Sequence, residues 1–178
     1  LADSDINLTP LPMRMTKGTG TLTLPQSFSI ATNGLDDACS AEAQKFAGLF
    51  KEVTGYSITV KAEDTDALIQ MNMYDGSEEL GNEGYTLDIT AAGIAVTANA
   101  ANGFYYAFQS IKKMLPANVM AEVKDNKVTE YTLPVVSIVD APRFEYRGFM
   151  LDVSRHFFGK EFVKKQIDAI AHFKMNRL

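Results

Sequence analysis

Hydrophobic and polar positions along the chain change period several times, and each change marks an element. Residues 7–29 alternate in short runs such as Thr19-Gly-Thr-Leu-Thr-Leu24, broken by Pro10, Pro12, Gly18, Gly20 and Pro25. That pattern predicts short strands joined by turns, with the prolines favouring a sheet edge. From Asp36 the spacing becomes helical. Ala38, Ala41, Phe46, Leu49, Phe50 and Val53 can share one broad face, Asp36 and Asp37 sit where the helix dipole favours negative charge, and Gly55 supplies a stop. Residues 56–60 alternate and residues 67–73 follow as a second apolar run, both predicting strands. Residues 84–90 and 93–97 predict a hairpin turning at Ala91, Ala92 and Gly93. A second helix buries Phe104, Ala107, Phe108, Ile111 and Leu115, with Asn102-Gly103 at its start and Pro116 at its end. Residues 127–139 return as one or two strands interrupted by Pro134, and Asp140-Ala-Pro142 predicts a linker.

The last stretch has a different rhythm. Phe149-Met-Leu151, continued by Val153, is an apolar block without alternation, which predicts a strand buried on both faces. Beyond Phe158, Val163, Ile167, Ile170 and Ala171 recur at helical spacing, while Lys160, Glu161, Lys164, Lys165 and Asp168 fall on the other side. An apolar block resumes at Met175, so strand, helix and the start of another strand read as the opening of a parallel β/α layer. The expected fold class is α+β: a mostly antiparallel sheet with two helices on one face over residues 1–140, then this β/α layer over residues 141–178.

Composition narrows the function classes. The 178 residues are 46% hydrophobic, enough for a packed core, and no apolar run approaches the roughly 18 residues of a membrane span. A net charge of −5 gives no electrostatic footprint for nucleic acid. The single cysteine, Cys39, excludes an internal disulfide and a cysteine-based zinc cage, and its place on a helix without a nearby histidine makes it a small core or boundary residue rather than a nucleophile. Residues 1–5 carry neither the basic nor the apolar region of a targeting peptide, so such a peptide either never existed or has been removed.

Most candidate chemistry has an ordinary reading. Gly18-Thr-Gly20 lacks the third glycine, following helix and lysine of a phosphate loop, and reads as a turn. Glu63, Asp64 and Asp66 lack the spacing and sixth-position glycine of a calcium loop, and Asp36-Asp37 and Glu78-Glu79 read as solvated charges. Phe104-Tyr105-Tyr106 reads as core packing. His156 and His172 have no carboxylate at metal-binding spacing, so no metal site is expected. The loop Ser154-Arg-His-Phe-Phe158 is different, because in a parallel β/α unit the loop after the strand's carboxyl end meets ligands. Arg155 offers five fixed donors for paired hydroxyls or a carboxylate. Two readings of it stay open: a ligand-binding side chain, or a partner of Asp152 or another acid that ties the loop down.

Pro142-Arg-Phe-Glu-Tyr-Arg-Gly-Phe-Met-Leu-Asp-Val-Ser-Arg-His-Phe-Phe158, with Val163-Lys-Lys-Gln-Ile-Asp168 and Phe173-Lys-Met-Asn176, closely resembles the opening of the catalytic (β/α)8 barrel in family 20 glycoside hydrolases, the β-N-acetylhexosaminidases. Gly84-Tyr-Thr-Leu87, Gly93-Ile-Ala-Val96 and residues 103–111 also resemble the non-catalytic α+β domain that precedes that barrel. The resemblance implies an accessory domain at residues 1–140 and the first strand and helix of the barrel at 141–178. It implies that Arg155 hydrogen-bonds the 3- and 4-hydroxyls of a terminal N-acetylhexosamine, with Arg147 structural. Gly159 departs from the family's frequent proline at the helix start. The implied activity is exo-acting, retaining, substrate-assisted removal of N-acetylhexosamine from glycans, without a cofactor, in an exported enzyme. No acidic pair in these residues fits the catalytic Asp-Glu roles, so the 178-residue chain alone is expected to be inactive. The competing expectation is a non-enzymatic carbohydrate-binding or scaffold module.

Overall fold

A computed structural model describes residues 6–74 and 78–178. Residues 1–5, read above for a targeting signal, lie outside the described residues. The chain divides into two compact units, Leu1–Ala141 and Pro142–Leu178.

The first unit holds seven strands: β1 (Arg14–Thr23), β2 (Ser27–Ala31), β3 (Ser57–Lys61), β4 (Ile69–Met73), β5 (Tyr85–Ile89), β6 (Ile94–Ala98) and β7 (Thr132–Asp140). Its helices are α1 (Asp37–Thr54), α2 (Ala101–Met114) and the single turn α3 (Ala117–Met120). The strands form one sheet in the order β1-β7-β5-β6-β4-β2-β3. Pairing is antiparallel from β1 to β6 and parallel from β6 to β3. The expected mostly antiparallel sheet is therefore corrected to a mixed one. Parallel neighbours require a long crossover, and the 18-residue α1 provides it between β2 and β3.

Local chemistry explains where α1 begins and ends. Asp36, assigned above to solvation, is its N-cap: Oδ1 accepts the Cys39 N–H at 2.8 Å. Gly55 closes it in the left-handed region, φ 78°, where its N–H reaches the Lys51 carbonyl. The buried face is Cys39, Ala43, Phe46, Ala47, Phe50 and Val53. Phe46, Phe50 and Val53 are buried as expected, Ala41 and Leu49 are partly buried, and Ala38 is exposed. On α2 every predicted face residue is buried.

Alternation then builds a core on one side of the sheet. Tyr85, Leu87 and Ile89 of β5 and Ile94, Val96 and Ala98 of β6 are buried, while Asp88 points to solvent. The helices meet this layer and each other through aromatic rings. Phe46 stacks on Phe108 of α2 with centroids 4.6 Å apart, and Phe50 stands edge-on to Phe28, Tyr56 and Tyr131. Each such ring pair adds about 0.5–1.5 kcal/mol beyond the area it buries.

Three smaller expectations change. Gly18 to Gly20 is a bulge inside β1, where the register against β7 shifts between Lys17 and Thr21, and not a turn between strands. β7 begins at Thr132, so residues 127–131 are not strand, and it runs through Asp140, which pairs with Tyr85 and so is no part of a linker. Pro134 is tolerated because it lies beyond the last β5 pair, Ile89 with Val136, where β7 has only β1 beside it.

In the second unit α4 (Lys160–His172) follows the predicted helix, and a parallel bridge joins Gly148 to Arg177. The helix is present, but the two predicted strands are not formed: residues 149–153 carry no strand, and the parallel Gly148–Arg177 bridge is all that stands for the predicted ladder. Nor is the apolar run buried on both faces: Met150 is 83% exposed, and Phe149 and Val153 are nearly half exposed. A two-faced strand needs ladder neighbours and covering layers, and this 37-residue unit gives it one bridge and one helix.

Gly103 separates packing from propensity. A Cβ there would sit 2.3 Å from the Gly84 carbonyl oxygen and 2.7 Å from Ala98 Cβ. Gly103→Ala should therefore destabilise the protein by about 1–3 kcal/mol despite alanine's better helix propensity. Gly48→Ala, on exposed α1 surface with nothing within 4 Å, should stabilise it by about 0.5–1 kcal/mol. Urea denaturation of both variants checks this opposite pair of signs.

Candidate functional site

The loop at residues 152–158 is built around one carboxylate. Asp152 Oδ1 accepts the backbone N–H of Ser154 at 2.9 Å and of Arg155 at 3.0 Å, an Asx-type turn at residues 152–155. Asp152 Oδ2 accepts from Arg155 Nε. The Arg155 side chain is 83% exposed, and neither of its terminal Nη groups donates to a described residue. The two backbone hydrogen bonds, rather than this exposed ion pair, hold the loop. Backbone hydrogen bonds from Arg155 first, then its side chain and the Ser154 N–H, hold the Asp152 carboxyl below its ordinary value of 3.8.

Beneath this loop a second set of contacts surrounds the Gly148–Arg177 bridge. Arg147 Nε donates to the Lys174 carbonyl at 2.8 Å, and Nη1 donates to the Phe144 carbonyl at 2.8 Å. Asn176 answers from beside the Gly148–Arg177 bridge: its Oδ1 accepts the Arg147 N–H at 3.1 Å, and its Nδ2 donates to the Glu145 carbonyl at 2.9 Å. Arg147 is structural, as expected. Asn176 is the residue whose role the sequence reading missed; its place beside an apolar block at the second strand was the available signal. Gly159 caps α4 at φ −63° and ψ 157°, a backbone that proline also adopts, so the departure from proline carries no geometric demand.

Other candidates are drawn into structure. Cys39 is 1% exposed, and burial, with Asp36 second, pushes its thiol up to about 12, so it is no nucleophile at neutral pH. Asp64 accepts from Lys61 Nζ and Ser29 Oγ, each at 2.7 Å; these bonds, the lysine's first, bring its carboxyl to about 2. Glu79 pairs with Arg14 at 3.0 Å. Among the described residues no group of three His, Cys, Asp or Glu side chains could hold a metal ion, and no helix is long and apolar enough to cross a membrane. His156 and Ser154 are exposed in the same loop as Arg155, and Ser154 meets the Asp152 carboxylate through its backbone N–H.

A groove of about 200 Å³ between α1 and α2 is the first unit's counterpart. Its charges are already paired, Lys45 with Glu42 at 2.7 Å and Lys112 with Glu122 at 2.8 Å, and the Phe46 and Phe108 faces are spent on each other. It therefore lacks the outward donor pair that Arg155 offers.

Comparison with known proteins points the same way. Residues 5–141 match the model of glycosyl hydrolase family 20, domain 2, and residues 144–178 match glycosyl hydrolase family 20, catalytic domain. The chain is 33% identical to a β-hexosaminidase of Porphyromonas gingivalis over 98% of its own length and 22% of the relative's. It is 31% identical to the N,N'-diacetylchitobiase of Vibrio harveyi over its whole length and 19% of that protein. Among solved structures, the Streptomyces plicatus N-acetyl-β-hexosaminidase in complex with Thio-NAglucal superposes with a TM-score of 0.83 at 30% identity, covering 95% of this chain and 33% of that one. The chain thus spans about a fifth of the curated relatives' length.

The Asx-type turn fixes the sign of one titration. A depressed native pKa means that the turn's stabilisation is fully present above the unfolded value near 3.8 and is lost as pH falls through the lower native value. With aspartate selectively labelled, the Asp152 carboxyl carbon should titrate below 3.8, and Arg155→Ala should move its midpoint upward but not fully back, since both backbone donors remain.

Proposed function

Because the chain belongs to glycosyl hydrolase family 20, we propose that it is the N-terminal portion of an exo-acting β-N-acetylhexosaminidase that removes terminal N-acetylhexosamine from glycans. Residues 1–140 form the non-catalytic accessory domain and residues 141–178 open the catalytic (β/α)8 barrel. The observation that carries this reading is the loop after Val153. It lies between a parallel bridge, Gly148 with Arg177, and α4, which suits the position where barrel enzymes meet their substrates, and it turns a guanidinium outward with its terminal donors unengaged among the described residues. Two parallel N–H groups match two neighbouring sugar hydroxyls. Arg155 accordingly holds the 3- and 4-hydroxyls of the terminal sugar.

The bond-breaking chemistry is substrate-assisted: a glutamic acid protonates the leaving oxygen, the substrate's acetamido oxygen attacks the anomeric carbon, and an aspartate orients the acetamido group. No carboxylate described above is assigned either part. Asp36 caps a helix, Asp64 is held by Lys61 and Ser29, Glu79 is paired with Arg14, and Asp152 is committed to its own turn. The contribution of residues 141–178 is to hold the sugar. A net charge of −5 suits a neutral glycan and argues against nucleic acid. Export to the periplasm or beyond fits a glycan-trimming role.

In the complete enzyme, acting on a chromogenic N-acetylglucosaminide, Arg155→Ala should lower kcat/KM by about a hundredfold or more, the loss expected for two hydrogen bonds from a charged donor. The isolated 178-residue chain should show no turnover. An Arg155→Ala enzyme that folds and retains wild-type kcat/KM would overturn the assignment.

A further inference from the structure

We infer that Asp152 is the positioning residue for Arg155: its carboxylate grips the guanidinium through Nε, so that the opposite edge, carrying both Nη groups, is presented to the substrate. The inference rests on the reading of Arg155 as the sugar-binding residue and goes beyond it. Pairing with Asp152 and binding a sugar looked like alternatives for this arginine. The geometry makes them one device.

A carboxylate that met the guanidinium end-on, across both Nη groups, would consume the donor pair a ligand needs. Asp152 does not do this. Its Oδ2 takes the Nε–H, while its Oδ1 is held by the N–H groups of Ser154 and Arg155. The aspartate is therefore fixed by the loop's own backbone before it fixes the arginine. An arginine that is 83% exposed would otherwise sample many rotamers, and a side chain locked in its binding geometry gives up less freedom when the ligand arrives. Spacing enforces the arrangement: acceptor and arginine are three residues apart, so the turn that Oδ1 closes brings Nε back over Oδ2. Asp152 touches no substrate in this scheme and acts through Arg155.

Two substitutions separate orientation from loop closure. Asp152→Asn keeps a carbonyl oxygen for the two backbone donors but replaces the Nε acceptor with an amide donor. Asp152→Ser keeps a weaker turn acceptor and has no carboxylate at all. In the complete enzyme Asp152→Asn should lower kcat/KM by about 10- to 100-fold, the loss of a charge-assisted hydrogen bond, and should add nothing in an Arg155→Ala background. It should also erase most of the wild-type preference for the intact sugar over its 4-deoxy analogue, which a merely structural change would leave in place. Should the asparagine variant fail to fold, Asp152→Ser gives the same readouts. Losses that add independently of Arg155, or a 4-deoxy preference that survives in a folded variant, would overturn the role of Asp152. Wild-type kcat/KM in Arg155→Ala would instead overturn the proposed sugar contact itself.

Discussion

The first unit depends on the burial of one α1 face against one sheet face, with Phe50 at the centre of the contact. This ring is fully buried, and it touches Phe28 on β2, Tyr56 before β3, Tyr131 before β7 and Phe46 on its own helix. It therefore ties the parallel half of the sheet to the approach to the antiparallel half. The crossover that α1 makes from β2 to β3 also obliges those strands to run parallel. Side by side with α1, α2 carries the same packing across β5 and β6 through the Phe46–Phe108 stack. Where the chain approaches most closely, at Gly103 against the Gly84 carbonyl, side-chain volume has been removed altogether.

Much of this was legible in the sequence because helical period is a local property. α2 and its buried face, the β5–β6 hairpin and the Gly55 stop all follow from residues within one or two turns of each other. Strand direction is not local. Residues 27–31, 37–54 and 57–61 spell strand, helix, strand, yet nothing within them says whether β3 lies beside β2 or elsewhere, and strands joined by short turns favoured an antiparallel sheet. On α1 the large apolar residues Phe46, Phe50 and Val53 mark the buried face correctly, while the small Ala38 lies off it and Asp36 acts as a cap, not as a solvated charge.

The second unit shows what apolar pattern leaves unsaid. A continuous apolar run predicted a strand near Phe149, yet the chain forms only a single parallel bridge there, Gly148 with Arg177, because ladder pairing and burial on two faces depend on layers that the run itself does not encode. The arginine loop was conspicuous by composition, whereas its working arrangement was not. That Asp152 would grip Nε and leave the other edge of the guanidinium outward is a matter of side-chain geometry, set by an Asx-type turn of three residues. Arg147 and Asn176, by contrast, spend their polar groups on backbone and register, which is why one arginine of this unit is structural and the other is presented to solvent.

The two outer strands of the sheet have a bearing on how the protein behaves at high concentration. An unpaired strand edge is a template on which another molecule can add a strand. Here one edge is β1, broken by the Gly18–Gly20 bulge and flanked by Lys17 and Arg14; the other is the five-residue β3, ending in Lys61. The irregularity that first looked like a turn thus protects colloidal solubility: it denies an incoming chain the long, flat, uncharged ladder on which fibrils nucleate.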